Sequence, residues 1–83
     1  MTYERELLRT ADRLRQLSDT RLRSHEPEFR SVLAAMTGRP VPAVGAHAWG
    51  DQLWVVGQEV APGDQPALIP RLVDLRRSFD LLP

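Results

Sequence analysis

The sequence predicts a small α+β domain in which an antiparallel β-hairpin packs on helices, in the order α-α-β-β-α. Near both ends of the chain, apolar residues recur at three- and four-residue spacing, which is typical of amphipathic helices. Between these segments, two stretches of small and β-prone residues flank Gly50-Asp51, a dipeptide that suits a two-residue hairpin turn. The 83 residues make one domain, 1–83, near the lower size limit for a chain stabilised by apolar burial alone.

The first helix is predicted from about Thr2 to Leu17. Thr2 suits the N-cap, and Glu4 and Glu6 suit the positive end of the helix dipole. Residues 18–23 either extend this helix through Leu22 or break it. The apolar stripe consists of Tyr3, Leu7, Ala11, Leu14 and Leu17, widened by Leu8.

Two further helices are predicted, one before and one after the hairpin. Ser24 can cap the earlier one, Pro27 falls in its first turn and Gly38 ends it. The later helix runs from about Ala67 or Pro70 to Phe79, and we expect Pro70 to lie within its first turn because proline lacks an amide donor. The apolar rows are Phe29, Val32, Leu33 and Met36 in the earlier helix, and Leu68, Leu72, Leu75 and Phe79 in the later one.

The hairpin is predicted over residues 43–60, after an extended connection that Pro40 and Pro42 keep from being helical. Alternation along two paired strands sorts the side chains onto two faces. The face rich in small residues is expected to pack on the helices; it holds Val44, Ala46, Ala48, Leu53 and Val55. The opposite face holds His47, Trp49, Trp54, Val56 and Gln58.

The outer face of this hairpin is the strongest candidate for a functional surface. His47, Trp49, Trp54 and Val56 would lie together there, and aromatic side chains dominate the energetics of protein interfaces. We therefore predict that these four residues bind a partner protein. The alternatives are that a helix covers this face, that both faces are buried between helices, or that the tryptophans line a small-molecule pocket.

A second copy of the chain is the other expected partner. Small domains are usually reinforced by disulfides, metals or association, and this chain has no cysteine and only two histidines. The first helix also presents more apolar surface than a short second helix can cover. Tyr3, Leu7, Leu14 and Leu17 are therefore predicted to form a two-fold subunit contact in a homodimer. The competing interpretation is that this stripe packs on the hairpin and the last helix within one chain.

Charge gives little support for nucleic-acid binding. Eleven basic and eleven acidic residues balance to a net charge of zero, and every basic residue is arginine, a bias typical of GC-rich bacterial genomes. Arg5, Arg9 and Arg13 form an i, i+4 row that could contact phosphates. Acidic residues of the same helix weaken that field, so a nucleic-acid-binding regulator is an alternative and not the main prediction.

No constellation in the sequence predicts catalysis or a cofactor. His47 has no acidic partner to orient it apart from the turn residue Asp51. His25 beside Glu26 and Glu28 resembles a loose metal cluster, although a solvated helix start explains it better. A glycine-rich phosphate loop, a serine elbow and paired carboxylates are all absent from the sequence. We therefore expect no metal, no cofactor and no enzymatic activity.

The start of the chain lacks a basic stretch followed by an apolar core, and no apolar run approaches the roughly 20 residues that cross a bilayer. These features predict a cytoplasmic protein. Taken together, the sequence predicts a non-enzymatic accessory or regulatory protein that acts by protein–protein interaction. A small-ligand-binding protein that uses the Trp49, Trp54 and His47 face is a further alternative.

Overall fold

The computed structural model describes residues 2–81, and within them the chain is helical and contains no strand. The predicted α+β class is therefore wrong. Five α-helices are α1 (Tyr3–Gln16), α2 (Asp19–Arg23), α3 (Glu26–Thr37), α4 (Trp49–Gln58) and α5 (Gln65–Asp80), and short 3₁₀ turns span Ala46–Ala48 and Pro62–Asp64.

Helix α1 is confirmed, and it ends where the sequence left two possibilities. The Thr2 side chain caps it by accepting a hydrogen bond from the Arg5 amide at 3.2 Å. At its other end, Leu17 is extended, and Ser18 caps the separate helix α2 by accepting from the Arg21 amide. The helix is thus interrupted at Ser18. Serine is favoured at the N-cap, where its hydroxyl accepts from a free backbone amide, and it is less favourable in the interior of a helix.

Helix α3 is confirmed, but its predicted cap is not. Pro27 lies in the first turn, and Gly38 ends the helix with a left-handed φ of 70°, its amide bonding to the Ala34 carbonyl. His25 occupies the N-cap position without a side-chain hydrogen bond. Ser24 instead donates its hydroxyl to the Arg21 carbonyl at 2.6 Å, so it closes α2 rather than opening α3.

The predicted hairpin is the main error. Residues 49–58 form helix α4, and Gly50-Asp51 lies in its first turn instead of forming a turn between strands. Both helix glycines face α1. A Cβ at Gly50 would lie 2.7 Å from the Ala11 carbonyl oxygen, and one at Gly57 would lie 2.5 Å from Leu7 Cδ1. Close helix packing therefore overrides the weak helix propensity of glycine here.

Helix α5 is confirmed, but it begins earlier than predicted. It starts at Gln65, so Pro70 lies inside it and not in the first turn. Proline at this position removes one backbone bond, to residue 66, just beyond the four amides at the helix start that lack partners in any helix. Pro70 is also exposed.

The core forms where α1 packs against α4 and α5, and where α3 packs against the same two helices. Phe29 of α3 stacks on Trp49 of α4 with ring centroids 4.5 Å apart and planes 8° from parallel. The Trp49 indole also donates to the Val44 carbonyl at 3.3 Å, which ties down the extended segment before α4. Trp49 is thus a central residue of the core.

No helix among residues 2–81 is both long enough and apolar enough to span a membrane.

Candidate functional site

The four residues predicted to share a hairpin face do not form one surface. Trp49 is buried, with 3% of its surface exposed. Trp54 and Val56 are half-buried against the core on opposite flanks of α4, and His47 is exposed in the preceding 3₁₀ turn. The grouping fails because it assumed the two-residue alternation of a strand, whereas successive residues of a helix turn by about 100°.

The residues predicted to contact a second subunit are mostly covered within the chain. Tyr3, Leu7 and Leu14 are buried, and Leu17 is half-buried against the core. The Tyr3 hydroxyl donates to the Gly57 carbonyl of α4 at 2.7 Å. The apolar stripe of α1 therefore needs no second copy to remove it from water.

The arginine row of α1 is largely paired with acidic residues. Arg13 contacts Asp80 of α5 at 2.9 Å, and Arg9 lies 3.6 Å from Glu6. Only Arg5 of the three makes no ion pair among the described residues. A nucleic-acid phosphate would have to compete with these internal carboxylates for two of the three cations.

A wide groove lies between α3 and α5, with a volume of about 740 Å³. Val32 and Leu75 form its floor, since both line the groove yet are only 5% and 3% exposed. They lie there because each belongs to the apolar row of its helix, at the edge nearest the other helix. The remaining lining residues are Pro27, Glu28, Ser31, Arg71, Asp74 and Ser78.

The rim of this groove carries charges that the chain leaves available. Arg71 and Asp74 are exposed on α5, and neither forms an ion pair within residues 2–81. Glu28, across the groove on α3, lies 3.6 Å from His25 Nδ1. A ligand here would meet an apolar floor with one free cation and one free anion on the same side.

The two serines complete the rim with hydroxyl groups. Ser31 is exposed on α3, and Ser78 donates its hydroxyl to the Leu75 carbonyl of its own helix at 2.7 Å. Both side chains are short, so they leave the space above the floor open. Within residues 2–81, no three His, Cys, Asp or Glu side chains are grouped so as to hold a metal ion. The groove therefore offers an apolar floor with hydroxyl and charged groups on its rim.

Sequence reasoning missed this groove because it depends on which two helices are neighbours. A signal was nevertheless present. Arg71, Asp74 and Ser78 recur at spacings of three and four, so they form a polar row beside the apolar row of α5. On α3, Ser31 follows Glu28 by three positions and Pro27 by four, so these residues also share a face.

Comparison with known proteins identifies no relative: no family model, no curated protein and no solved structure matches this chain.

Proposed function

We propose that this protein is a non-catalytic binding module that holds a short amphipathic helix of a partner protein in the groove between α3 and α5. The observation that carries the proposal is the combination of an apolar floor, Val32 and Leu75, with the unpaired charges of Arg71 and Asp74 on the rim. Recognition of a helix in a groove uses such a combination, in which apolar anchors give affinity and rim charges set orientation.

The shape of the groove favours a helix as its occupant. It lies between two packed helices, and a third helix can fit its side-chain ridges into such a channel. The short side chains of Ser31 and Ser78 allow a backbone to come close on both sides. A volume of about 740 Å³ accommodates several large side chains, within the range of about 300–1,000 Å³ typical of ligand sites.

Charge indicates what the partner helix should carry. An acidic residue would pair with Arg71, and a basic residue one turn away would pair with Asp74, because these two side chains are three positions apart on α5. Between the charges, apolar residues at i, i+3 or i+4 would cover Val32 and Leu75. A nucleic acid is a weaker candidate for the same groove, since Glu28 and Asp74 would repel its phosphates.

The proposal can be tested by selecting binders from a displayed library of random peptides. Each peptide has about 16 residues, or roughly four helical turns, so the library itself supplies the candidate helices. The enriched peptides should share apolar residues at helical spacing with an acidic residue beside them. Ser31→Trp should abolish binding of these peptides by filling the groove, and Arg71→Glu should weaken it about tenfold or more through loss and reversal of one charge contact.

Val55→Trp is the matched control, because Val55 is an exposed residue of α4 that does not line the groove. The proposal predicts unchanged binding by this variant. Failure to enrich any peptide, or enriched peptides that bind Ser31→Trp as tightly as the wild type, would overturn it.

A further inference from the structure

A second groove lies on the other side of α3, where the chain leaves this helix and turns back along it. Its volume is about 510 Å³. Most of its wall is apolar and comes from Leu33, Ala34, Pro40 and Val41. Its charged lining residues are Arg30 and Arg39, and no acidic residue lines it.

This single sign of charge distinguishes the groove from its neighbours. The groove between α3 and α5 includes Glu28 and Asp74. Another, at the start of α1, includes Glu4, and a third, between α1 and α5, includes Asp12 and Asp80. An anionic ligand therefore meets the least repulsion in the groove lined by Arg30 and Arg39.

The two arginines have different parts in this groove. Arg30 is held in place, since its Nε atom lies 3.0 Å from Glu26 Oε2 and its Nη1 atom donates to the Val41 carbonyl at 3.5 Å. Glu26 balances its charge. Arg39 is exposed and forms no ion pair within residues 2–81, so it supplies the net positive charge.

The backbone that carries Arg39 is well anchored. The Thr37 hydroxyl donates to the Arg39 carbonyl at 2.7 Å and accepts from the Arg39 amide at 3.2 Å. The C-terminus of α3 lies nearby and opposes an anion with roughly half a negative charge. The full charge of Arg39 exceeds this, and the Ala34 carbonyl of the last turn is already occupied by the Gly38 amide.

We infer that this groove binds a small amphipathic carboxylic acid, with the carboxylate at Arg39 and the apolar tail along Leu33, Ala34, Pro40 and Val41. The site is separate from the groove between α3 and α5, and it does not depend on the function proposed for that groove. An arginine at one end of an apolar wall matches a ligand that has one anionic end and one hydrocarbon end.

We propose to test this inference by titrating the protein with octanoate and recording the amide resonances of the protein by solution NMR. Shifts that saturate and are largest at Gly38, Arg39 and Val41 are expected. Octylammonium has the same tail and the opposite charge, and it should produce no saturating shifts at these amides. Arg39→Gln should raise the dissociation constant of octanoate about threefold to fivefold, as expected for one exposed charge contact.

Ala34→Trp should abolish octanoate binding by filling the groove, whereas Val55→Trp, at an exposed position of α4 that does not line this groove, should leave it unchanged. The same spectra report whether each variant is folded. Equal binding of octylammonium and octanoate, retained binding by Ala34→Trp, or octanoate shifts that are scattered over the molecule would each overturn the inference. None of these results bears on peptide binding between α3 and α5, for which Ser31→Trp is the diagnostic variant.

Discussion

Glu6 is the most unusual residue of the core, because it is an acidic residue whose side chain is only 1% exposed. Arg76 of α5 approaches it at 2.8 Å and also donates to the Thr10 hydroxyl at 3.1 Å. Thr10 in turn donates to the Glu6 backbone carbonyl. This network joins α1 to α5 through polar contacts whose geometry fixes the register of the two helices.

Replacing Arg76 alone should therefore lower the free energy of unfolding far more than replacing both Glu6 and Arg76. Arg76→Met leaves Glu6 buried with only Arg9 at 3.6 Å, and we expect a loss of about 3–5 kcal/mol in the free energy of unfolding. In the double variant Glu6→Met/Arg76→Met, most of this loss should be recovered, because two apolar side chains replace two charges. Urea unfolding of both single variants and the double variant measures the coupling, and additive losses would contradict it.

Tyr3 gives the molecule a defined response to alkaline pH. Burial raises the pKa of its phenol above the ordinary value of 10.0, and its hydroxyl donates to the Gly57 carbonyl. The sequence contains no lysine and no cysteine, and Tyr3 is the only tyrosine. Between about pH 9 and pH 12, therefore, Tyr3 is the one side chain expected to titrate.

The stability due to Tyr3 should be fully present below pH 10 and should be lost as the pH rises through the raised pKa. The unfolded chain gives up its phenol proton first, so alkaline pH favours the unfolded state. The free energy of unfolding should fall above about pH 10 in the wild type and stay level in Tyr3→Phe. Parallel pH profiles for the two proteins would contradict this assignment.

At the scale of elements, the approach of α4 to α1 depends on two glycines. Gly50 faces the Ala11 carbonyl oxygen, a backbone atom that cannot move aside, and Gly57 faces the buried Leu7 side chain. An added methyl group at either position must separate the helices or displace a core residue. Gly63 has open space where its Cβ would lie.

Gly50→Ala should destabilise the protein by about 1–3 kcal/mol, even though alanine is the better helix former, because the close contact outweighs the gain in propensity. Gly57→Ala should cost less, since the side chain of Leu7 can shift further than a backbone carbonyl. Gly63→Ala is the control and should change stability little. Thermal unfolding of the three variants ranks them by their loss of stability. A neutral or stabilising effect of Gly50→Ala would show that α4 and α1 do not pack this closely.

The same helix shows why the sequence predicted some elements and not others. Helices α1 and α3 were predictable because local signals agree: Thr2 caps one, Gly38 ends the other, and both have an apolar stripe. In α4 the local signals conflict. Its glycines and its β-branched pair suggest a hairpin, whereas the spacing of Trp49, Leu53 and Val56 also fits a helical face. The tertiary contact with α1 favours the helix over the hairpin for residues 49–58, and a single sequence does not reveal that contact.

The candidate groove was harder to predict than any helix. Val32 and Leu75 were recognised as members of apolar rows, but no local pattern says that the edges of these two rows adjoin. Arg71 and Asp74 stand out only because the structure places them beside this apolar floor and pairs some other charges elsewhere, such as Arg13 with Asp80 and Arg76 with Glu6. Concave sites between helices are properties of helix packing, which sequence periodicity leaves open.

At the scale of the whole molecule, α1 is the central helix, because it contacts both α4 and α5 along its length. Its stripe was the reason to expect a homodimer, and the chain itself covers that stripe. Within residues 2–81, the large apolar side chains that stay exposed lie apart in the sequence, at Leu8, Val44, Val55 and Leu81. Single exposed apolar residues are normal on monomeric proteins and do not call for a partner copy.

We therefore expect light scattering on a sizing column to give the mass of one chain, 9.4 kDa, at both low and high salt. Salt is the informative variable, because an association through Arg5 or other surface charges would weaken as screening increases. A dimer insensitive to salt would contradict the expectation, since it would require an apolar contact that the folded chain does not present through α1. In that case Val55→Glu, at the most exposed apolar position of α4, would test whether the outer surface of this helix forms the contact.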